Sequence, residues 1–267
     1  MSRPVTDAIG GWLREADGDL RRDHRLLEQI APSELSATHL AYFEDYRQRY
    51  FNDRLIPGQG VEEIQSMLLQ HGGSPRNWAD LGAGVTTLYW SIGVSPTGSI
   101  CACDLVPEAL HVLAGFKESA ELPPCYGETL GLLGKTPADI EAVRRLSWSY
   151  HVMDCLAPWT IPGREAGFDL VTAVGCFGLA ADAGAYRVAF QAACDALAPA
   201  GRLAGADWIR SARFIDMEGH DNRYLSASLA SHCAREAGLT PLRVQEVTIS
   251  DDPYYDAVIV WAFGSSG

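Results

Sequence analysis

The last two apolar runs of the chain, Arg243–Ile249 and Ala257–Phe263, are separated only by Ser250–Asp256. A parallel crossover takes a dozen or more residues, so this pair is expected to be antiparallel. Five further strand candidates precede it: Trp78–Leu81, Ser99–Leu105, His151–Cys155, Phe168–Val174 and Arg202–Trp208. Most are near-continuous hydrophobic runs, as strands covered on both faces require. Their connections are mostly long enough for crossover helices, that from Cys155 to Phe168 being the tightest, and Tyr186–Leu197 and Ser226–Ala237 have helical spacing. The sequence therefore predicts an α/β fold, a doubly wound, mostly parallel sheet of seven strands with the last one reversed.

Residues 1–75 read as an N-terminal helical cap, with amphipathic stretches at Ala8–Ala16, Asp23–Ile30, Ser36–Phe51 and Val61–Gln70. Gly10 and Gly11 weaken the first, and Pro57, Gly58 and Gly60 break the last two apart. Residues 76–267 form the core, with an insertion at about 117–149 that contains a helical Pro137–Arg145, and the whole reads as one globular unit. No apolar run reaches the roughly 20 residues that span a bilayer, and Met1–Leu20 is charged and interrupted by glycine. A cytoplasmic protein, monomeric or weakly dimeric and without a membrane partner, is the expectation. The net charge of -13 opposes a nucleic-acid partner, since such a surface repels phosphate backbones, and Arg21, Arg22 and Arg25 are the only dense basic run. Seven cysteines without framework spacing read as buried, reduced thiols, with Cys101 and Cys103 on one strand face and no metal site.

The strongest local signal is Asp80-Leu81-Gly82-Ala83-Gly84-Val85-Thr86-Thr87, which follows the first core strand and opens a helix. Its glycines permit a tight turn and close approach of backbone to a ligand. Asp104 closes the second strand, where a carboxylate can accept from ribose hydroxyls, and Asp154 ends the third, within reach of an adenine amino group. Taken singly, each acid also fits a helix cap or a solvated loop. A dinucleotide fingerprint wants a third small residue where this chain has the bulkier Thr87, whereas S-adenosylmethionine has no pyrophosphate and lifts that constraint.

From about Asp45 onward the chain resembles the small-amine methyltransferases that act on nicotinamide, phenylethanolamine and indolethylamines. The resemblance lies in Asp45-Tyr46-Arg47-Gln48-Arg49-Tyr50-Phe51, in the loop from Asp80 to Thr86, in Lys135–Asp154, in Leu203-Ala204-Gly205-Ala206-Asp207-Trp208 and in Glu236-Ala237-Gly238-Leu239. It implies a Rossmann-like class I fold using S-adenosylmethionine, with S-adenosylhomocysteine as product and no metal. Tyr46 and Tyr50 would close over donor or acceptor, with Phe51 beside the substrate. Asp80, Gly82, Ala83, Gly84 and Thr86 would form the donor loop, Asp104 and Leu105 the ribose site, and Asp154 with Cys155 the adenine site. Val174 and Cys176 would line the cofactor, and Asp207 and Ser211 would face the acceptor, Asp207 orienting an amine and stabilising its developing cation. The departures are Ala83 and Val85 for the loop's serine and proline, Ala109 for an asparagine, Tyr89 displaced by one position, and Gly178 for an acid near the acceptor. The implied reaction is methyl transfer to the nitrogen of a small amine or heteroaromatic. O-methylation and a non-catalytic cofactor-binding protein remain alternatives, as does a NAD-dependent oxidoreductase, which Thr87 opposes. A plain packing role for Tyr46, Tyr50 and Phe51 is also open. His151 reads as structural, and Asp216, Glu218, Asp221 and His220 as a solvated face.

Overall fold

The computed structural model describes residues 24–265. The expected helix at Ala8–Ala16 and the arginines Arg21 and Arg22 lie outside the described residues. Eight strands form a single sheet: β1 (Arg25–Leu26), β2 (Asn77–Leu81), β3 (Ser99–Asp104), β4 (Ser147–Val152), β5 (Phe168–Val174), β6 (Leu197–Arg210), β7 (Leu239–Thr248) and β8 (Tyr255–Ser265). Their spatial order is β1-β4-β3-β2-β5-β6-β8-β7. Strands β2 to β6 run parallel, while β8 lies antiparallel to both β6 and β7. The doubly wound sheet with a reversed final strand is thus present, with one short strand more than the sequence suggested.

That extra strand replaces part of an expected helix. Within Asp23–Ile30 the described residues form β1, which pairs antiparallel with β4 through Arg25↔Val152 and Leu26↔His151, and then a 3-10 turn. Pairing covers the otherwise open edge of β4, whose unpaired backbone groups outweigh a weak helical pattern. The His24 and His151 rings stack beside it with centroids 5.0 Å apart. Arg25 spends its charge on Glu34 at 3.2 Å.

Strand β4 begins four residues before the expected His151–Cys155 and ends at Val152, so Asp154 stands two residues beyond it. Its Ser-Trp-Ser-Tyr-His-Val alternates instead of running apolar, the pattern of a strand next to a minimal edge. The described connection from β4 to β5 holds no helix. Elsewhere the described helices are α1 (Ala37–Tyr50), α2 (Val61–His71), α3 (Thr87–Trp90), α4 (Pro107–Lys117), α5 (Pro124–Leu132), α6 (Pro137–Arg144), α7 (Ala183–Asp195), α8 (Ala212–Glu218) and α9 (Ala227–Glu236); α1, α2, α6, α7 and α9 match expected stretches and α3 follows the glycine loop as expected, whereas α5 and α8 were not foreseen. The insertion supplies α5 and α6, and Thr129 on α5 meets the Tyr89 hydroxyl at 2.7 Å, tying it into the main core.

Strand alternation divides that core in two. Trp78, Ala102, Ala204, Ala206 and Val260 pack under α2 and α4 on one face. Ala79, Cys101, Cys103, Leu203 and Trp261 pack under α7 and α9 on the other. All seven cysteines are free thiols, and six are buried, Cys194 alone being partly exposed. Phe190 on α7 is fully buried and meets the rings of Phe177, Tyr186, Trp261 and Phe263 at centroid distances of 5.5 to 6.0 Å. Truncating it as Phe190→Ala will cost about 3–5 kcal/mol, read as a lower urea midpoint with unchanged slope.

Candidate functional site

The sheet changes winding direction at β2, which has β3 on one side and β5 on the other. In open α/β sheets this opens a crevice at the carboxyl ends of the strands, where ligands bind. Gly82 leaves β2 at φ +64°, and a Cβ there would sit 2.6 Å from Cys176 Cβ beyond β5. Glycine is therefore what lets the two loops meet. Gly84, at φ +48°, faces open space, its ideal Cβ meeting nothing nearer than the Gly82 carbonyl at 4.0 Å. The loop thus presents bare backbone to the crevice.

Beneath it, Asp80 is 1% exposed and accepts from the hydroxyls of Thr87 and Thr172, each at 2.5 Å. Burial pushes its carboxyl up to about 6 against the pull of those two bonds. At the end of β3, Asp104 accepts from the Gly84 N–H at 2.8 Å and the Val106 N–H at 2.9 Å, closing the loop over the strand end. Burial raises this carboxyl also, the backbone donors working against it. Leu105 follows, half-buried. Asp154 accepts from the Leu156 N–H at 2.9 Å. Cys155 and Val174 are buried, and the Cys155 thiol donates to the Cys103 carbonyl at 3.7 Å, beside the end of β3. Ala83 is buried and its N–H donates to the Cys103 carbonyl, while Thr86 donates to the Ala83 carbonyl and accepts from Trp90 Nε1.

An aromatic run leads away from this loop. Trp90 and Tyr89 touch Phe51, Phe51 lies 6.1 Å from Tyr46, and Tyr46 lies 4.9 Å from Tyr50 and 6.4 Å from Tyr42. Tyr255 of β8 lies close enough to Tyr46 and Tyr42 to raise both phenols, and burial is the main cause that keeps the Tyr46 hydroxyl protonated. Tyr255 itself is pushed up to about 12. Tyr50 is 43% exposed and lies at the outer end of the run. Trp208 of β6 comes within 3.4 Å of an ideal Cβ on Gly175, just past β5, and 6.3 Å from the Tyr255 ring.

Two expected acceptor residues turn away. Asp207 is 1% exposed and its oxygens accept from the Gly178 N–H at 2.7 Å, Trp261 Nε1 at 3.1 Å and the Tyr186 hydroxyl at 3.2 Å. It shares the α7 face with Leu203, on the far side of the sheet from Tyr46, so it does not orient an acceptor. A Cβ on Gly178 would fall 3.3 Å from Asp207 Oδ1, which explains why no acidic side chain stands there. Ser211 accepts from the Phe214 N–H at 3.2 Å and donates to the Pro253 carbonyl at 2.9 Å, so its hydroxyl starts α8 and pins the terminal hairpin. Sequence reasoning missed Thr172, Trp208, Tyr255 and Arg210. A charged residue ending a core strand was the one signal for Arg210. Among the described residues no group of three or more His, Cys, Asp or Glu is placed to hold a metal, and no helix is long and apolar enough to cross a membrane.

The strand order, the reversed β8 and the glycine loop at the switch point define the fold of class I S-adenosylmethionine-dependent methyltransferases. Among solved structures, the chain is similar to the N-methyltransferase NodS of Bradyrhizobium japonicum WM9 in complex with S-adenosylhomocysteine, with TM-score 0.57, 16% identity, and 86% and 96% of the two chains covered. It is also similar to magnesium protoporphyrin IX methyltransferase of Synechocystis PCC 6803 with bound S-adenosylhomocysteine, at TM-score 0.54, 11% identity, and 90% and 100% coverage. A third is the 1,6-didemethyltoxoflavin-N1-methyltransferase of Burkholderia thailandensis, at TM-score 0.51, 17% identity, and 89% and 92% coverage. No protein-family model and no curated protein matches the sequence, so the likeness is one of fold.

Burial also pushes the Asp207 carboxyl up to about 6, despite its three donors. A carboxyl raised in the folded state contributes stability below its unfolded pKa near 3.9 and loses it as pH rises through about 6. Wild type will therefore lose up to about 3 kcal/mol relative to Asp207→Asn between pH 4 and pH 7, measured by urea unfolding. Asp207→Ala, which strands three buried donors, will be destabilised by about 2–5 kcal/mol.

Proposed function

We propose that this chain is an S-adenosylmethionine-dependent methyltransferase acting on the nitrogen of a small molecule. The observation that carries the reading is the glycine loop at the β2 switch point, where Gly84 faces open space beside the Asp104 carboxylate. Those residues fit the group: Gly84 opens onto free space, and Asp104 is engaged only by backbone N–H donors, leaving lone pairs for a pair of ribose hydroxyls. Gly82, Ala83, Gly84 and Thr86 would hold the amino-acid end, Asp104 and Leu105 the ribose, and Asp154, Cys155, Val174 and Cys176 the base. Bound there, the cofactor supplies an electrophilic methyl group on a sulfonium.

What the chain adds is position and dryness. Helix α1 and the segment ahead of it serve as the cap, and Tyr46, Tyr50 and Phe51 wall the space beyond the donor loop. Alignment of reacting atoms and exclusion of water supply several kcal/mol in such displacements. Because the Tyr46 phenol stays protonated, it orients an acceptor by hydrogen bonding and does not remove a proton. The acceptor nitrogen then has to arrive with its lone pair free, as a heteroaromatic ring nitrogen or a weakly basic arylamine does. NodS and the toxoflavin enzyme, both named as N-methyltransferases, support nitrogen as the acceptor atom.

Calorimetric titration tests this reading. The purified chain will bind S-adenosylhomocysteine and not NAD, and Asp104→Ala will weaken that binding by at least about tenfold. Binding of NAD in its place, or an Asp104→Ala variant of unchanged affinity, refutes it.

A further inference from the structure

Arg210 ends β6 with a side chain that is 8% exposed. Its guanidinium makes one hydrogen bond, from Nη1 to the His220 carbonyl at 3.5 Å, the outer limit for such a contact. Phe214 lies flat against it, the guanidinium carbon 4.7 Å from the ring centre. Among the described residues no carboxylate is within ion-pair distance of it, although the charge of Glu218 and the phenols of Tyr255 and Tyr224 are near enough to be felt. A guanidinium this little exposed, with most of its five donors uncommitted to protein groups, is a ready partner for an anion.

Its place says what that something is. Along β6, Ala204 and Ala206 pack on the α2–α4 side of the sheet and Trp208 packs with them, whereas Asp207 turns the other way. Arg210 follows Trp208 by two residues and is paired with Tyr255, which faces Tyr46 and Tyr42 of the cap. Trp208 adjoins Gly175 at the carboxyl end of β5. The guanidinium therefore shares with Tyr255 and Trp208 the face of the sheet on which the aromatic run lies. Phe214 behind it fixes the plane of the fork, the geometry that selects a planar carboxylate.

Resting on the methyltransferase reading, we propose that Arg210 is the anion-recognising residue of the acceptor site, and that the methyl acceptor is a small amine or heteroaromatic carrying a carboxylate. In a chain of net charge -13 the general field repels such a molecule, so a local, desolvated cation is what selects it. The acceptor's carboxylate docks on the Arg210 fork, and its ring lies along the Tyr255 and Trp208 side of the space.

The test uses 4-aminobenzoate and 4-aminobenzamide, which share ring and amine and differ in charge, titrated into the chain saturated with S-adenosylhomocysteine. Wild type will bind the acid at least about tenfold more tightly than the amide, and Arg210→Met will abolish that preference. Arg210→Lys, which keeps the charge and loses the fork, will retain part of it. Both variants will bind S-adenosylhomocysteine as wild type does, which shows that they are folded. Equal affinities, no detectable affinity for either compound, or a preference that survives in Arg210→Met overturns the assignment of Arg210. Failure of wild type to bind S-adenosylhomocysteine overturns instead the methyltransferase reading on which it rests.

Discussion

Asp80 ends β2 with its carboxylate held between the hydroxyls of Thr87 and Thr172, and Thr172 in turn accepts from Trp78 Nε1 at 2.8 Å. One buried acid thereby joins two adjacent strands and the first turn of α3. Everything at the crevice hangs from that junction. The loop from Gly82 to Thr86 can turn only if both its ends are fixed, and they are fixed at Asp80 and Thr87. Asp104 completes the frame from β3 by gripping the Gly84 N–H. A carboxylate kept out of water is an unfavourable choice for stability, and its use here fits a site that needs rigid backbone more than it needs a stable core.

The same economy appears at the end of β6, with the charges reversed. Asp207 is consumed by the core, where three donors from Gly178, Tyr186 and Trp261 clamp β6 to α7 and β8. The charge left facing the space under the cap is positive. In the proposed site, tyrosines whose phenols stay neutral and a guanidinium would sort ligands by shape and by the sign of one group.

Local patterns carried most of the fold. The short gap at Ser250–Asp256 forced the terminal hairpin, and the continuous apolar runs at Phe168–Val174 and Arg202–Trp208 became central strands. The glycine loop and Asp104 were legible because their spacing along the chain is itself the geometry. Asp207 was not. It differs from its neighbour Trp208 only in strand parity, and which parity faces α2 and α4 is decided by the helices packed on each side. Strand β4 was placed too late for a related reason: beside a two-residue edge strand it needs only one apolar face.

Strand β1 deserves a last thought for how little of it there is. Between the sheet and α1 the described chain pairs Arg25 with Val152 and Leu26 with His151 and stacks one pair of imidazoles, while the Ser36 N–H ahead of α1 donates to Glu108 of α4 at 2.7 Å and Arg47 lies over the Phe116 ring. Helix α1 itself buries no residue completely. The helix beside the glycine loop is thus held by side-chain contacts and half-buried rings, while the parallel strands beneath are tied by continuous backbone ladders.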